Sequence, residues 1–456
     1  MSSSSTAPFN VAIVGGGIAG VTVALGLLSR GIPVKLYERA ECFHEIGAGI
    51  GMSPNAERAM LSLDPRIHTV FRRLATPNTE DWFQYVDGFN NSQNGDGEEL
   101  LFKIYLGNRG FEGCRRSDFL AGLAEMITED CIEFKKEIIA VTEGGDGGIE
   151  NEKTILHFSD DTVAEANIVL GCDGLRSKVR QLILGVNNPA SQPSYSHKFA
   201  FRGLIPMQRA REVLGEDKSS TRYMHLGQNG HVLTFPVAMG TILNVVAFVT
   251  DPGEWPSKDR FTLPATKDEA LCYFSGFGPV VTAIMEMLDD RLDKWGIFDL
   301  FDNPVTSYVS EKGFIGLIGD AAHASAPHHG AGAGCAIEDA LAIAVALEDA
   351  AAILQKSSDA VARKNLVLKA ALSTYQDIRH ERTQWVVQSS RFIGEMYEWQ
   401  VPEIGSDTVK GLAEAESRCR QIWDYDIDGL IQKTKKLFST RVSGRDSCSI
   451  VTAVGQ

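Results

Sequence analysis

The chain has 456 residues, 44% hydrophobic and 23% charged, which suits two or three domains with substantial cores and excludes wholesale disorder. Its formal net charge of -15, without a long Lys/Arg run, disfavours nucleic acid and anionic membranes as partners. Eight scattered cysteines with no C-x-x-C pair argue against a disulfide framework or a metal centre and for a reducing compartment, the cytoplasm by default.

The opening MSSSSTAPFN lacks the basic and apolar regions of a signal peptide, and no window reaches the roughly 18 apolar residues of a membrane span. From Asn10 to Val14 an apolar run ends in Gly15-Gly16-Gly17. A helix-periodic stretch, Ile18–Ser29, stops at Gly31, and a second strand pattern, Val34–Tyr37, ends at Glu38. This order predicts a βαβ unit. Asp87–Glu99 and Glu143–Glu152 are rich in loop-forming residues and are expected as exposed loops. Short strands follow without intervening helices: Thr154–Phe158, Asn167–Gly171, Lys198–Ile205, Arg222–Leu226, His231–Pro236 and Leu243–Val249, a pattern that predicts an antiparallel sheet. Phe314–Ile318 is a further buried strand, and Gly334–Leu354 and Asn365–Tyr397 are long helices.

The expected architecture is α/β: a Rossmann-type nucleotide-binding domain, an antiparallel-sheet domain and a C-terminal helical region. Boundaries are expected at 1–80 and 81–195 for two parts of the Rossmann-type domain, 196–305 for the antiparallel-sheet domain, 306–355 for a return segment to the first domain and 356–456 for the helical region.

Three motifs carry chemistry. In Gly15-x-Gly17-x-x-Gly20 the glycines permit a tight turn, close approach of backbone to a pyrophosphate, and packing of helix on strand. The helix start adds free N–H groups, and Glu38, eighteen residues past Gly20, stands where an acid binds ribose hydroxyls. That acid favours FAD or NAD over a 2′-phosphorylated cofactor. The second motif is Gly171-Cys172-Asp173-Gly174; the third runs from Gly319-Asp320 to Gly330-Ala331-Gly332-Ala333-Gly334. Asp173 or Asp320, at a strand end, could accept from ribityl or ribose hydroxyls; either could equally be an ordinary turn.

Together, in this order, the motifs resemble the fingerprints of class A aromatic hydroxylases of the para-hydroxybenzoate and salicylate hydroxylase type. Arg116, in Arg116-Ser117-Asp118-Phe119-Leu120, resembles the family arginine that reaches FAD. The resemblance implies bound FAD, NADH or NADPH as transient co-substrate, and O2. It places Gly15, Gly17, Gly20, Glu38, Gly51, Arg116, Asp173, Asp320, Gly332 and Ala333 at the cofactor. The chain lacks a second G-x-G-x-x-G followed by an acid or arginine, as two-Rossmann reductases require, and the W-x-W-x-I-P stretch of flavin halogenases.

The segments around Gly110–Arg116, His197–Leu204 and Pro327–Ala333 look like those of fungal dearomatising hydroxylases of azaphilone, tropolone and sorbicillinoid pathways. That resemblance implies a phenolic polyketide substrate, a resorcinol-type aldehyde or ketone. A phenolate is a better nucleophile toward electrophilic oxygen than a phenol, so a fixed cation near the ring oxygen aids the reaction. Arg202 is the expected cation; a structural salt bridge is its bland alternative. Some branch members carry a tyrosine where this chain has Phe235, and Tyr105 is the expected replacement anchor. His328 or His329 could relay a proton or merely pack the loop, and His323 is expected to pack or cap. A decarboxylating or simple ring hydroxylase is the near alternative, and a non-catalytic flavin-binding protein the remote one.

Overall fold

The structure, a computed structural model, describes residues 7–43, 49–90, 98–107, 110–144 and 153–453, with side chains described to residue 444. Five parallel strands form one sheet, in the order Ile315–Leu317, Ile168–Gly171, Val11–Val14, Val34–Tyr37, Ile132–Glu133. All four residues of the central strand Val11–Val14 are buried, as expected of a strand with both faces covered. The helices Ile18–Leu28 and Gly332–Lys356 pack with this sheet in one core. The parallel strands end at the Gly15, Gly171 and Gly319 turns, so all three motifs emerge along one edge of the sheet.

The second sheet has eight strands, in the order Thr262–Thr266, Arg291–Asp299, Ser194–Pro206, Ile242–Thr250, Gly230–Val237, Tyr223–Gly227, Trp82–Asp87, Leu100–Tyr105. It is antiparallel except where Tyr223–Gly227 runs parallel to Trp82–Asp87. The last two strands fall within 81–195, which the sequence assigns to the FAD-binding domain. They pair with the eight-stranded sheet instead, so the chain enters that sheet well before residue 196.

Strand alternation gives this sheet two distinct faces. Phe199, Phe201, Val232, Val245 and Ala247 pack on the helices Met207–Ser220 and Pro279–Glu286. Ala200, Val246 and Phe248 face the other way. A two-stranded ribbon, Gly49–Met52 with Glu112–Arg115, bridges toward the parallel sheet. The long helices Gly332–Lys356 and Ala360–Tyr397 start within five residues of their expected positions. Thr408–Trp423 and Ile427–Ala453 complete the helical region. Of the two expected loops, 91–97 and 145–152 lie outside the described residues, and Asp87 ends a strand. Among the described residues no helix is long and apolar enough to cross a membrane, and no cluster of His, Cys, Asp or Glu could hold a metal ion.

Candidate active site

A cavity of about 350 Å³ runs from the glycine turn at Gly17 to the inner face of the eight-stranded sheet. At the turn, Gly15 has φ +106°, and a Cβ there would lie 2.5 Å from the Cys172 carbonyl oxygen. A Cβ on Gly20 would lie 1.9 Å from the Gly15 carbonyl oxygen. Both positions therefore require glycine for the protein's own backbone packing. Gly17 differs: nothing lies within 4 Å of its missing Cβ, so it opens onto the cavity. Glu38 accepts from the Gly16 N–H at 2.6 Å and the Ala40 N–H at 2.8 Å, which fixes its carboxylate beside the turn.

Farther along, the cavity is walled by Gly49–Gly51, Arg116, Asp320, Gly332 and Ala333. Gly51 lies on the ribbon, and Arg116 opens the helix Arg116–Ala124 directly after it. Asp320 is exposed to the cavity at the start of the short helix Asp320–His323. The 25-residue helix beginning at Gly332 points its N-terminus, with unpaired N–H groups, at the same space. An elongated cofactor bearing a pyrophosphate, hydroxyls and a planar ring fits this donor and acceptor set. Gly17, Gly51, Arg116, Asp320, Gly332 and Ala333 line the cavity, and Gly15, Gly20 and Glu38 form the glycine turn at its end.

Asp173 is the correction. Its Oδ1 accepts from Ser177 Oγ at 2.5 Å and its Oδ2 from the N–H groups of Lys178 and Val179 at 2.6 and 3.0 Å. Its carboxylate thus caps the helix Lys178–Leu184, while its neighbours Cys172 and Gly174 line the cavity. Tyr105 is a second correction. It lies on the edge strand with 42% of its surface exposed, against Trp82, and is absent from the cavity wall. Phe102 and Ile104 take the inward positions, so alternation turns Tyr105 out. Arg109, beside it in sequence, lies outside the described residues.

Arg202 does reach the cavity. Register pairs it with Val246, Val246 with Leu233 and Leu233 with Met224, and this row of four lines the inner face. The Arg202 guanidinium lies 4.8 Å from the Trp295 ring, and its buried Nε has no hydrogen-bond partner among the described residues. Burial, with help from Arg116, pulls its pKa down to about 10, so it remains a cation at neutral pH. The salt-bridge alternative finds no carboxylate here among the described residues.

Sequence reasoning missed Arg222. It precedes the strand Tyr223–Gly227, is 2% exposed, and lines the same cavity beside Phe235. Burial pulls its pKa down to about 9. The available signal was a lone arginine at the head of an apolar strand, which ordinarily reads as a surface residue.

His328 and His329 also line the cavity. His329 Nε2 meets Ser389 Oγ at 2.9 Å, whereas both ring nitrogens of His328 are buried and unpartnered among the described residues. Burial lowers both pKa values, that of His329 to about 3, so both imidazoles are neutral. His323 is tied to Asp339 at 2.5 Å, a packing role.

A family profile described as FAD binding domain matches residues 117–390. The FAD-dependent monooxygenase pigN of Monascus ruber is 54% identical over 433 residues, covering 95% of this chain and 97% of the relative. The FAD-dependent monooxygenase orf3 of Aspergillus niger is 52% identical over 443 residues, covering 96% and 99%. A solved salicylate hydroxylase substrate complex is 30% identical with TM-score 0.78, covering 94% of this chain and 98% of that one. The chain belongs to this family of FAD-binding aromatic-hydroxylase-type monooxygenases, and it is an oxidoreductase that binds FAD.

Proposed function

We propose that the enzyme uses NAD(P)H and O2 to hydroxylate a phenolic polyketide, a resorcinol-type aldehyde or ketone, at a substituted ring carbon, so that the ring loses its aromaticity. The observation carrying this reading is Arg202, a cavity-wall cation whose Nε has no protein partner among the described residues. It would bind the ring oxygen, hold it as phenolate and so raise the electron density of the attacking carbon. Reduced FAD supplies, with O2, the electrophilic oxygen. Gly15, Gly17, Gly20 and Glu38 would hold its ADP part, and Gly51, Arg116, Asp320, Gly332 and Ala333 the ribityl chain and ring. Apolar walls (Val246, Phe248, Leu233, Met224) would keep water from the reacting centre.

The test is incubation of holoenzyme with alkylated resorcinol aldehydes, NADPH and O2, followed by chiral analysis of the products. A product one oxygen heavier with loss of aromatic absorbance is expected; a catechol formed with CO2 release overturns the dearomatising reading. Arg202→Ala should retain bound FAD and lose at least 100-fold in hydroxylation, on the order of the ~3 kcal/mol seen when a charge-stabilising donor is removed. Near wild-type turnover by that variant would remove Arg202 from the mechanism.

A further inference from the structure

Phe235 stands where some members of the resembled branch carry a tyrosine, and Tyr105 faces away, so neither supplies a second contact. The same wall supplies a different group. The Arg222 guanidinium lies 4.2 Å from the Phe111 ring centroid and 5.4 Å from those of Phe83 and Phe235. Its Nη1 is buried without a hydrogen-bond partner among the described residues. Glu112 and Tyr85 bear on its charge, but the Glu112 carboxylate is held by Arg72 at 3.0 Å. Aromatic faces compensate a cation only in part and leave forked N–H donors unsatisfied. A merely structural role would be served by an apolar side chain of similar length, with no buried charge to desolvate.

Its position across the sheet is informative. Arg202 begins the row Val246, Leu233, Met224, and Arg222 lies on the same face two residues before Met224, beside Phe235, three interstrand steps from Arg202, about 14 Å across the strands at about 4.8 Å per step. The cation that bears on Arg202 is Arg116, not Arg222. The sheet wall of the cavity therefore presents two separated guanidinium groups with apolar residues between them.

We infer that Arg222 is a second substrate-binding cation, which grips an acceptor oxygen remote from the ring oxygen held by Arg202. The enzyme then selects aromatic substrates with two separated oxygen functions, the distal one a conjugated acyl carbonyl or a second phenolate. This rests on the proposed hydroxylation, and it sharpens that reading: a simple monophenol leaves Arg222 buried and unpaired, and is rejected for that reason.

The experiment measures binding apart from turnover. Holoenzyme, Arg222→Met and Arg222→Lys are titrated with three ligands, following the flavin absorbance change: an alkylresorcinol aldehyde, the same resorcinol without the aldehyde, and the aldehyde with its second hydroxyl methylated. Wild type should bind the first at least tenfold more tightly than one of the other two, and which one identifies the distal oxygen. In Arg222→Met that ratio should fall at least fivefold with FAD content unchanged, and Arg222→Lys should recover part of it. A ratio near one in wild type, or one unaltered in Arg222→Met, overturns the inference, as does failure of all three ligands to bind. Should Arg222→Met fail to retain FAD, the wild-type ratios and their change in Arg222→Lys decide the matter. Selective binding without hydroxylated product would sink the proposed function and leave the role of Arg222 standing.

Discussion

Gly15, Gly17 and Gly20 share one motif yet are glycine for different reasons. Added methyl groups at Gly15 and Gly20 collide with the protein's own backbone, at 2.5 Å and 1.9 Å. At Gly17 the methyl meets nothing within 4 Å and would occupy cofactor space. Gly17→Ala should therefore leave the melting temperature of the FAD-free protein within about 2 °C while weakening FAD binding at least tenfold. Gly20→Ala should lower the FAD-free melting temperature by several degrees, in keeping with a loss of about 2–3 kcal/mol. Thermal melts with and without FAD, plus a flavin titration, separate the two; equal effects in both assays would contradict the division. The motif was legible because its requirement lies in the backbone, which local sequence dictates. Tyr105 and Arg222 were not, because the side of a strand that faces the cavity depends on its register with neighbours distant in sequence. Asp173 was half legible: its strand-end position was read correctly, but a helix cap and a ligand contact call for the same residue type.

At the scale of elements, the G-D motif is held by helices that follow it. Asp339, on Gly332–Lys356, accepts from the Gly319 N–H at 3.0 Å, from His323 at 2.5 Å and from Arg379 Nε at 2.7 Å. Its neighbour Glu338 meets Arg379 at 2.8 Å, Arg382 at 2.7 Å and Asn55 Nδ2 at 2.7 Å. His323 and Arg379 hold the Asp339 carboxyl below the ordinary range, against the opposing effect of its burial. This network ties the turn carrying Asp320 to two long helices. Asp339→Asn should remove about 3–5 kcal/mol, since it strips buried Arg379 of one of its two carboxylates. It should also weaken FAD binding by loosening Asp320. Urea unfolding and flavin titration test both, and a stability change under 1 kcal/mol would deny the network this role. Helical periodicity located both long helices, but a polar residue buried inside a helix looks like a surface residue until its partners, 40 positions away, are placed. The strands Trp82–Asp87 and Leu100–Tyr105 went unread for the same reason: they fall in the span 81–195 given to the FAD-binding domain, and only pairing with Tyr223–Gly227 sets the sheet they join.

For the whole molecule, the site region buries neutral imidazoles in unusual number. His231 meets Glu398 Oε1 at 2.9 Å and lies tilted against His328, with ring centroids 5.2 Å apart, and His329 follows His328 directly in sequence. Burial is the largest cause of the lowered pKa in all three; in His231 it outweighs the opposing pull of Glu398, and in His329 it reaches about 3. In the unfolded chain each imidazole binds a proton near pH 6.5, whereas in the folded chain each stays neutral to lower pH. Above about pH 7 neither state is protonated and the three contribute nothing to pH dependence. As pH falls through 6.5 the unfolded state takes up protons that the folded state refuses, so stability drops by about 1.4 kcal/mol per pH unit for each group. His329, with its folded pKa of about 3, gives this full slope once the pH is below about 5.5, and His231 and His328 add to it in the same direction. Buried carboxylates with lowered pKa, Glu398 and Glu338 among them, add losses in the same direction, but only below about pH 4.5. Urea unfolding of the full chain at half-unit steps from pH 8 to 5 should thus be flat to about pH 7 and fall steeply below 6.5. His329→Gln should make that slope shallower by about 1.4 kcal/mol per unit. A curve flat down to pH 5 would mean that these imidazoles accept protons in the folded state, and the reading of them as buried and neutral would fail.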